Sequence, residues 1–440
     1  MTTKPPIIKP RDRDTIISAL RAGVVPRLGL QHIQVGRQRE IDALIRDIDR
    51  IGQGGSSIRF VIGAYGAGKT FFLFLVRQIA MQSKLAVCQA DLSPDRRIHA
   101  TAGQARSLFA ELARSLSTRT APDGGALRNI LESYIQKASE RAAASGMSIE
   151  VAVKEGLGDI REMVGGYDFA TVIAAYAKGY EDGNGNLQDA ALRWLRGEYS
   201  TKTEARADLG VRTILDDASF YDGLRLLARF VRLAGFGGLL VCLDELVNLY
   251  KLQNSQARKQ NYEQILRILN DVLQGTTEGI GFILGGTPEF LMDTRRGLYS
   301  YEALQSRLAE NSFAGNGLAD YSGPVVNLPN LTPEELYHLL ERLRDVFAAG
   351  DKERWLVPDE ALTAFMAHCA NNIGDAYFRT PRNTVKAFVD LLAILEQNPG
   401  TKWQDLIAEV EVRQDTLGAA DHEVIADGEE ADDQLATLRF

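Results

Sequence analysis

Gly63, Gly66, Gly68, Lys69 and Thr70 fall within eight positions, "GAYGAGKT", between the apolar runs "SIRFVI" and "FFLFLV". Each residue type answers a requirement of triphosphate binding. Glycines allow tight or left-handed turns and let backbone N–H groups approach phosphate oxygens. A lysine ammonium brings a point charge to the β- and γ-phosphates, and a threonine hydroxyl can ligate Mg²⁺. The helix expected next presents the positive end of its dipole to the same anion. The stretch fits G-x-x-x-x-G-K-[ST] at every fixed position, in the strand–turn–helix setting that pattern needs. Ala64, Tyr65, Ala67 and Phe71 complete the surface offered to a nucleotide.

A second group of candidates lies far along the chain. "LLVCLDEL" ends an apolar run in Asp244 and Glu245. Asp244 suits a Mg²⁺ site, and Glu245 could orient and deprotonate an attacking water. "GGTPEF" places Thr287 at the end of another apolar run, where it could reach the γ-phosphate or the lytic water; Thr287 before Pro288 is equally a good helix N-cap. Phosphoryl transfer loads charge onto oxygens that a guanidinium stabilises. Arg307 in "QSRLAE" is the first choice for that role, with Arg295 and Arg296 in "DTRRG" as alternatives. Arg382 in "TPRN" is expected in the first turn of a helix capped by Thr380, facing the phosphates. Val35, Gly36 and Arg37, just before an amphipathic stretch, read either as an adenine-packing segment or as a capping turn.

The elements that must hold these residues follow from the hydrophobic pattern. Five apolar, strand-like runs are separated by helical ones, "SIRFVIGA", "LAVCQADLS", "GGLLVCLDEL", "GIGFILGG" and "GPVVNLP", which implies right-handed crossovers and a parallel sheet covered on both faces. From about residue 95 to 232 the periodicity is helical. After Leu328 helices return: "LTPEELYHLL" has Thr332, Pro333 and Glu335 placed for a capping box, and "VPDEAL" and "TPRNTV" suggest similar starts.

Composition excludes several classes. The 440 residues are 45% hydrophobic and 25% charged, which suits a soluble globular chain of two or three domains. No apolar run approaches the roughly 20 residues of a membrane span, and the start has no apolar signal core, so a cytoplasmic protein is expected. Cys88, Cys242 and Cys369 lack metal-type pairing, and His32, His99, His338, His368 and His422 lack ligand spacing. A net charge of −8 argues against a generally basic nucleic-acid surface. The N-terminal region is nonetheless locally basic, through Lys4, Lys9, Arg11, Arg13, Arg21, Arg27, Arg37 and Arg39, and could meet DNA phosphates or simply be a solvated arm.

The phosphate loop, "CLDEL", "TPEF", "SRL" and the helical segment with "TPR" together resemble the AAA+ ATPases, in particular the branch of origin-recognition and initiator-loading ATPases. "ISALRAGVVPRLGLQHIQVGR", "ADLSPDRR", "LLVCLDELVNLY" and "SYEALQSRL" are similar to the ATP-binding proteins of bacterial BREX phage-defence systems, of the BrxC/BrxD group and its shorter BrxD-like members, from about Ile16 to Leu392. The resemblance implies an α/β fold, an AAA+ P-loop NTPase with a parallel sheet ordered 5-1-4-3-2, a large helical insertion and a C-terminal helical lid. It implies a basic N-terminal arm or helix over 1–30, an ATPase core over 31–328, a lid over 329–400 and an acidic, disordered tail over 401–440. It implies ATP and Mg²⁺ as cofactors, with Lys69, Thr70, Asp244, Glu245 and Arg307 at the matching positions. It further implies hydrolysis used to remodel or load a helicase-type DNA-processing partner or another defence protein, with ATP-dependent self-association and DNA contact. The alternative is a switch or scaffold with little turnover that organises partners. The two glycines before Thr287 depart from the usual polar end of the sensor strand.

Overall fold

The structure is a computed structural model and describes residues 8–311, 313 and 320–409. Five strands form one sheet: β1 (Ser56–Ile62), β2 (Ala86–Asp91), β3 (Leu239–Asp244), β4 (Ile280–Gly286) and β5 (Val325–Asn327). Their order is β2-β3-β4-β1-β5, which from the opposite edge reads 5-1-4-3-2. β2 runs parallel to β3 with Ala86 opposite Leu239 and Asp91 opposite Asp244, and β3 runs parallel to β4. All seven residues of β1 and of β4 and all six of β3 are buried. Val, Ile, Leu and Phe predominate in them for that reason, because a strand covered on both faces has no solvent side on which to alternate.

The chain divides into two compact units. Of the described residues, the first gathers those up to Glu40, Ile62–Leu75 and Asn327–Glu409. Its core is helical, with Ile16, Leu336, Leu340, Leu343, Phe365, Phe388, Val389 and Leu392 all buried together. The helix Pro333–Phe347 has the full capping box: Thr332 Oγ1 accepts from the Glu335 N–H, and the Glu335 carboxylate accepts from the Thr332 N–H. The helices Asp359–Ile373 and Arg382–Gln397 start differently, after Pro358 and Pro381 and without a side-chain cap. Proline alone restricts the entering backbone there, so no side-chain acceptor is needed to define the start.

One expectation is sharpened and one corrected in this unit. Of the arm or helix expected at the start, the structure has the helix Pro10–Arg21, packed on the helices Arg382–Gln397 and Pro333–Phe347. Arg13 donates to the Phe347 carbonyl (3.0 Å) and pairs with Glu396, and Arg21 pairs with Asp390 at 3.0 Å. Its cations are thus partly spent on carboxylates rather than solvated. The acidic tail also begins later than expected, because Trp403–Glu409 is a helix whose Ile407 joins the buried cluster. The rest of that tail, 410–440, lies outside the described residues, as does Lys4.

The second unit comprises Ile41–Val61 and Val76–Val326, and so holds most of the sheet and the helices between β2 and β3. The latter have an aromatic core of their own. Phe169 meets Trp194 and Phe230 edge-on at 6.1 Å each, and Tyr134 meets Phe230 at 5.3 Å. Asp168 is buried beneath them and accepts from the Arg212 N–H, the Thr213 N–H and the Thr213 hydroxyl, at 3.0, 2.7 and 2.6 Å. Three donors offset the cost of burying that carboxylate. Cys88 and Cys242 are free thiols buried in β2 and β3.

Candidate nucleotide site

The glycine-rich loop lies in the first unit, and its glycines have separate reasons. Gly66 and Gly68 take φ of +80° and +74°, a region that side chains disfavour. Gly63 is limited by space instead: a Cβ there would stand 3.1 Å from the Leu328 carbonyl oxygen and 3.2 Å from the Ala67 methyl. At Gly66 a Cβ would also stand 2.9 Å from Thr380 Cγ2. The Ala67 N–H closes a turn on the Ala64 carbonyl at 3.1 Å. Lys69 opens the helix Lys69–Gln82, and its ammonium donates to the Gly63 and Ala64 carbonyls at 2.8 and 3.1 Å. Thr70 follows in the first turn, where N–H groups lack intrahelical acceptors. Phe71 turns away from the loop and packs, partly buried, on the helical core.

The segment 35–37 reaches this loop. Arg37 and Gly36 both have left-handed backbone, with φ of 60° and 62°. A Cβ on Gly36 would overlap the Glu335 carboxylate, so the turn sits directly on the capping box. The Arg37 guanidinium donates to the Ala67 carbonyl and, at 3.3 Å, to the Pro329 carbonyl. Burial pulls its pKa down, while the charges of Glu335 and Glu40 oppose the shift. Val35 is half-buried.

Arg382 belongs to the same neighbourhood. Its Nε donates to the Gly23 carbonyl at 2.7 Å and its Nη1 to the Tyr65 hydroxyl at 3.4 Å. Tyr65 itself is 40% exposed, unusual for an aromatic ring set in a loop of small residues. Thr380 does not cap the Arg382 helix as expected. Its hydroxyl donates back to the Ala376 carbonyl at 3.0 Å, closing the preceding turn.

The acidic candidates lie in the second unit. Asp244 ends β3 and is 3% exposed; its Oδ1 accepts from the Glu245 N–H at 2.9 Å and its carbonyl from the Leu92 N–H at 3.0 Å. Glu245 adopts φ of 57°, a conformation that costs a non-glycine residue on the order of 1 kcal/mol and collects at functional positions. Hydrogen bonds on both sides hold it there: its own N–H to Asp244 Oδ1 before it, and after it Leu246 N–H to the Gly285 carbonyl at 3.1 Å and Asn248 N–H to the Glu245 carbonyl at 3.0 Å. Thr287 fulfils its capping reading, accepting from the Phe290 N–H at 3.4 Å. Arg307 donates from Nε to Asn270 Oδ1 and from Nη1 to the Ala303 carbonyl, both at 2.7 Å. Arg296 points into the carbonyls of Tyr250 and Leu252, at 3.2 and 3.0 Å, and Arg295 is exposed.

One carboxylate drew no functional expectation. Asp91 ends β2 in register with Asp244, and its carboxyl is held above the usual range by loss of solvent and then by the Asp244 charge. The available signal was a carboxylate at the C-terminal end of a strand expected to be parallel, the edge at which α/β sheets bind ligands. Pairing of β2 with β3 is needed to see that the two carboxylates are neighbours.

A family model for BREX system ATP-binding proteins BrxC/D matches residues 8–411. The chain belongs to that family. Its match takes in the glycine loop, both acidic strand ends and the helices after β5, so the BREX ATP-binding family accounts for nearly all the described structure. A comparison with curated proteins gives no match. Among the described residues no helix is long and apolar enough to cross a membrane.

Proposed function

We propose that this BREX family member is a Mg²⁺-dependent ATP hydrolase that uses turnover to remodel or load a helicase-type DNA-processing partner. The observation carrying the reading is the loop 63–70, with two left-handed glycines, a third glycine held by lack of space, and Lys69 folded over its carbonyls at the start of a helix. That cradle fits a phosphate chain. Lys69 would exchange its two carbonyl partners for β- and γ-phosphate oxygens, and loop amides would take the remaining oxygens. Thr70 and Asp244 are the proposed Mg²⁺ ligands, and the cation, when bound, would neutralise phosphate charge. Glu245, fixed by backbone hydrogen bonds in a strained conformation, would take the proton from the attacking water. Arg307, released from Asn270, is the proposed stabilising guanidinium toward a second copy, and the helices after β5 are the proposed lid carrying Arg382.

A paired test separates binding from chemistry. Lys69→Ala should weaken ATP binding about 100-fold or more, roughly 2.7 kcal/mol. Glu245→Gln should keep the wild-type affinity and lose hydrolysis by about 10²–10⁴-fold, the range for a general base. Undiminished turnover in Glu245→Gln would end the mechanistic assignment.

The second reading, an ATP-dependent switch with little turnover, is favoured by Arg307, which is engaged by Asn270 and a carbonyl of its own chain. Asn270→Ala separates the two. Under the switch reading it leaves turnover low, whereas a hydrolase awaiting its arginine should speed up.

A further inference from the structure

The helices between β2 and β3 hold an open cavity of about 500 Å³ beside their aromatic core. One wall is a single stripe of the helix Leu127–Ser145, where Tyr134, Lys137, Arg141 and Ala144 recur at three- and four-residue spacing. Gly156, the end of the helix Ile149–Gly156, and Leu233, the end of the helix Phe220–Leu233, complete the lining with Glu140. The Ser133 hydroxyl ties the two longer helices together by donating to the Ala234 carbonyl at 3.0 Å.

Like charges one turn apart on a helix repel, so a pair left without a carboxylate calls for a reason. Lys137 and Arg141 are both exposed, and neither pairs with a carboxylate among the described residues. Glu140 accepts instead from the Gln136 carboxamide at 3.3 Å. Arg141 is nonetheless set in place. Its guanidinium carbon lies 6.0 Å from the centre of the Tyr134 ring, and the Tyr134 hydroxyl accepts a hydrogen bond from it while donating to the Val153 carbonyl at 2.8 Å. Gly156 makes the room: a Cβ there would stand 2.5 Å from both the guanidinium and that hydroxyl. Glycine weakens a helix relative to alanine, so what this one serves is the position of the cation. A Cβ on Gly235 would likewise overlap the Lys137 ammonium.

We infer that this cavity binds a small organic phosphate, its phosphate group between Lys137 and Arg141 and its carbon body against Tyr134, Ala144 and Leu233. The site shares no residue with the glycine loop and does not depend on the nucleotide reading of that loop. A carboxylate carries one charge and would satisfy the guanidinium fork alone. A phosphate monoester carries close to two charges above about pH 6, with oxygens for the fork and the ammonium together. The remaining wall is apolar, so a bare phosphate ion would leave it uncovered, and the volume lies in the range of small-molecule sites.

The test titrates phenyl phosphate, inorganic phosphate and benzoate into the full-length protein by calorimetry, at low and constant ionic strength because exposed cations are screened by salt. Phenyl phosphate should bind about tenfold more tightly than either of the others, equivalent to about 1.4 kcal/mol. Lys69→Ala should leave that affinity unchanged. Lys137→Gln and Arg141→Gln should each weaken it about tenfold with the unfolding midpoint unmoved, because both side chains lie outside the core. Gly156→Ala should weaken it too, by displacing the guanidinium without removing a charge. A wild type that shows no saturable binding of phenyl phosphate overturns the inference without any variant, and so does one that binds benzoate equally well. Binding that survives both glutamine variants and is lost in Lys69→Ala would put the phosphate in the glycine loop and overturn it as well. A lowered unfolding midpoint in Lys137→Gln with undiminished affinity would make Lys137 a cap on the helix Phe220–Leu233 rather than a ligand for phosphate, with the same result.

Discussion

The glycine loop and the aromatic core between β2 and β3 use side chains in opposite ways. Around the loop, Lys69, Arg37 and Arg382 all donate to backbone carbonyls, and glycines sit where a methyl would collide. Such contacts hold a shape while leaving groups that a ligand can win over. In the aromatic core, Phe169, Trp194 and Phe230 have only one another and their neighbours, and the polar group beneath them, Asp168, takes three donors. The loop is arranged to exchange partners, and the core to keep them. Substitutions should therefore separate cleanly into those that lose ligand and those that lose fold.

The largest effect should come from the core. Trp194 is 2% exposed and its indole N–H reaches the Thr213 carbonyl at 2.8 Å. Trp194→Ala removes both packing and a hydrogen bond and should destabilise by ~3–5 kcal/mol. Denaturant unfolding should show that loss, while ATP affinity of the still-folded fraction stays within about twofold. A large change in affinity with unchanged stability would break the comparison.

A smaller, mixed effect is expected at Gly66. Alanine there must accept φ of +80° and a Cβ 2.9 Å from Thr380 Cγ2. The left-handed strain amounts to ~1–2 kcal/mol, and the loop must shift to relieve the overlap. ATP affinity should fall roughly tenfold in equilibrium titration while the unfolding midpoint moves little, because local distortion takes the strain. Gly63→Ala, crowded but not left-handed, should be milder.

Glu245 sharpens the contrast from the other side. Asparagine tolerates φ near 57° better than glutamate, so Glu245→Asn should gain ~0.5–1 kcal/mol of stability while losing hydrolysis. A variant both less stable and inactive would show that Glu245 holds the strand end together rather than storing strain for chemistry.

How much of this was readable beforehand depends on the range of the interaction. The loop 63–70, the strand cores and the Thr332–Glu335 capping box are local patterns, in which spacing along the chain is also spacing in space, and all three stand at their expected positions. Arg37 bonding Ala67 crosses thirty residues and depends on two consecutive left-handed residues that no local pattern announces. Whether the basic start is a packed helix or a solvated arm stayed open in the sequence because the partners of Pro10–Arg21, Glu396 and Asp390, lie more than 360 positions away. Thr380 failed as a cap because a hydroxyl can turn back on the preceding helix as readily as forward onto the next.

The smallest expected effect concerns Asp91, and its sign follows from linkage. Its folded pKa is raised, first by loss of solvent and then by the Asp244 charge, with Arg96 opposing and Glu111 adding to the rise. The folded state therefore holds a proton on Asp91 more tightly than the unfolded chain does. This group favours folding when protonated and disfavours it as pH climbs through the folded pKa, above the usual aspartate value of about 3.9. Asp91→Asn removes that penalty. With a chelator present, the variant's stability advantage over wild type should be absent near pH 4 and below, grow as pH rises past it, and level off once pH exceeds the raised folded pKa. A disadvantage at neutral pH that vanishes in acid would mean that ionised Asp91 stabilises the folded protein, as a paired surface carboxylate would. The β2 end would then belong with the settled contacts of the core rather than with the strained edge that Asp244 and Glu245 share.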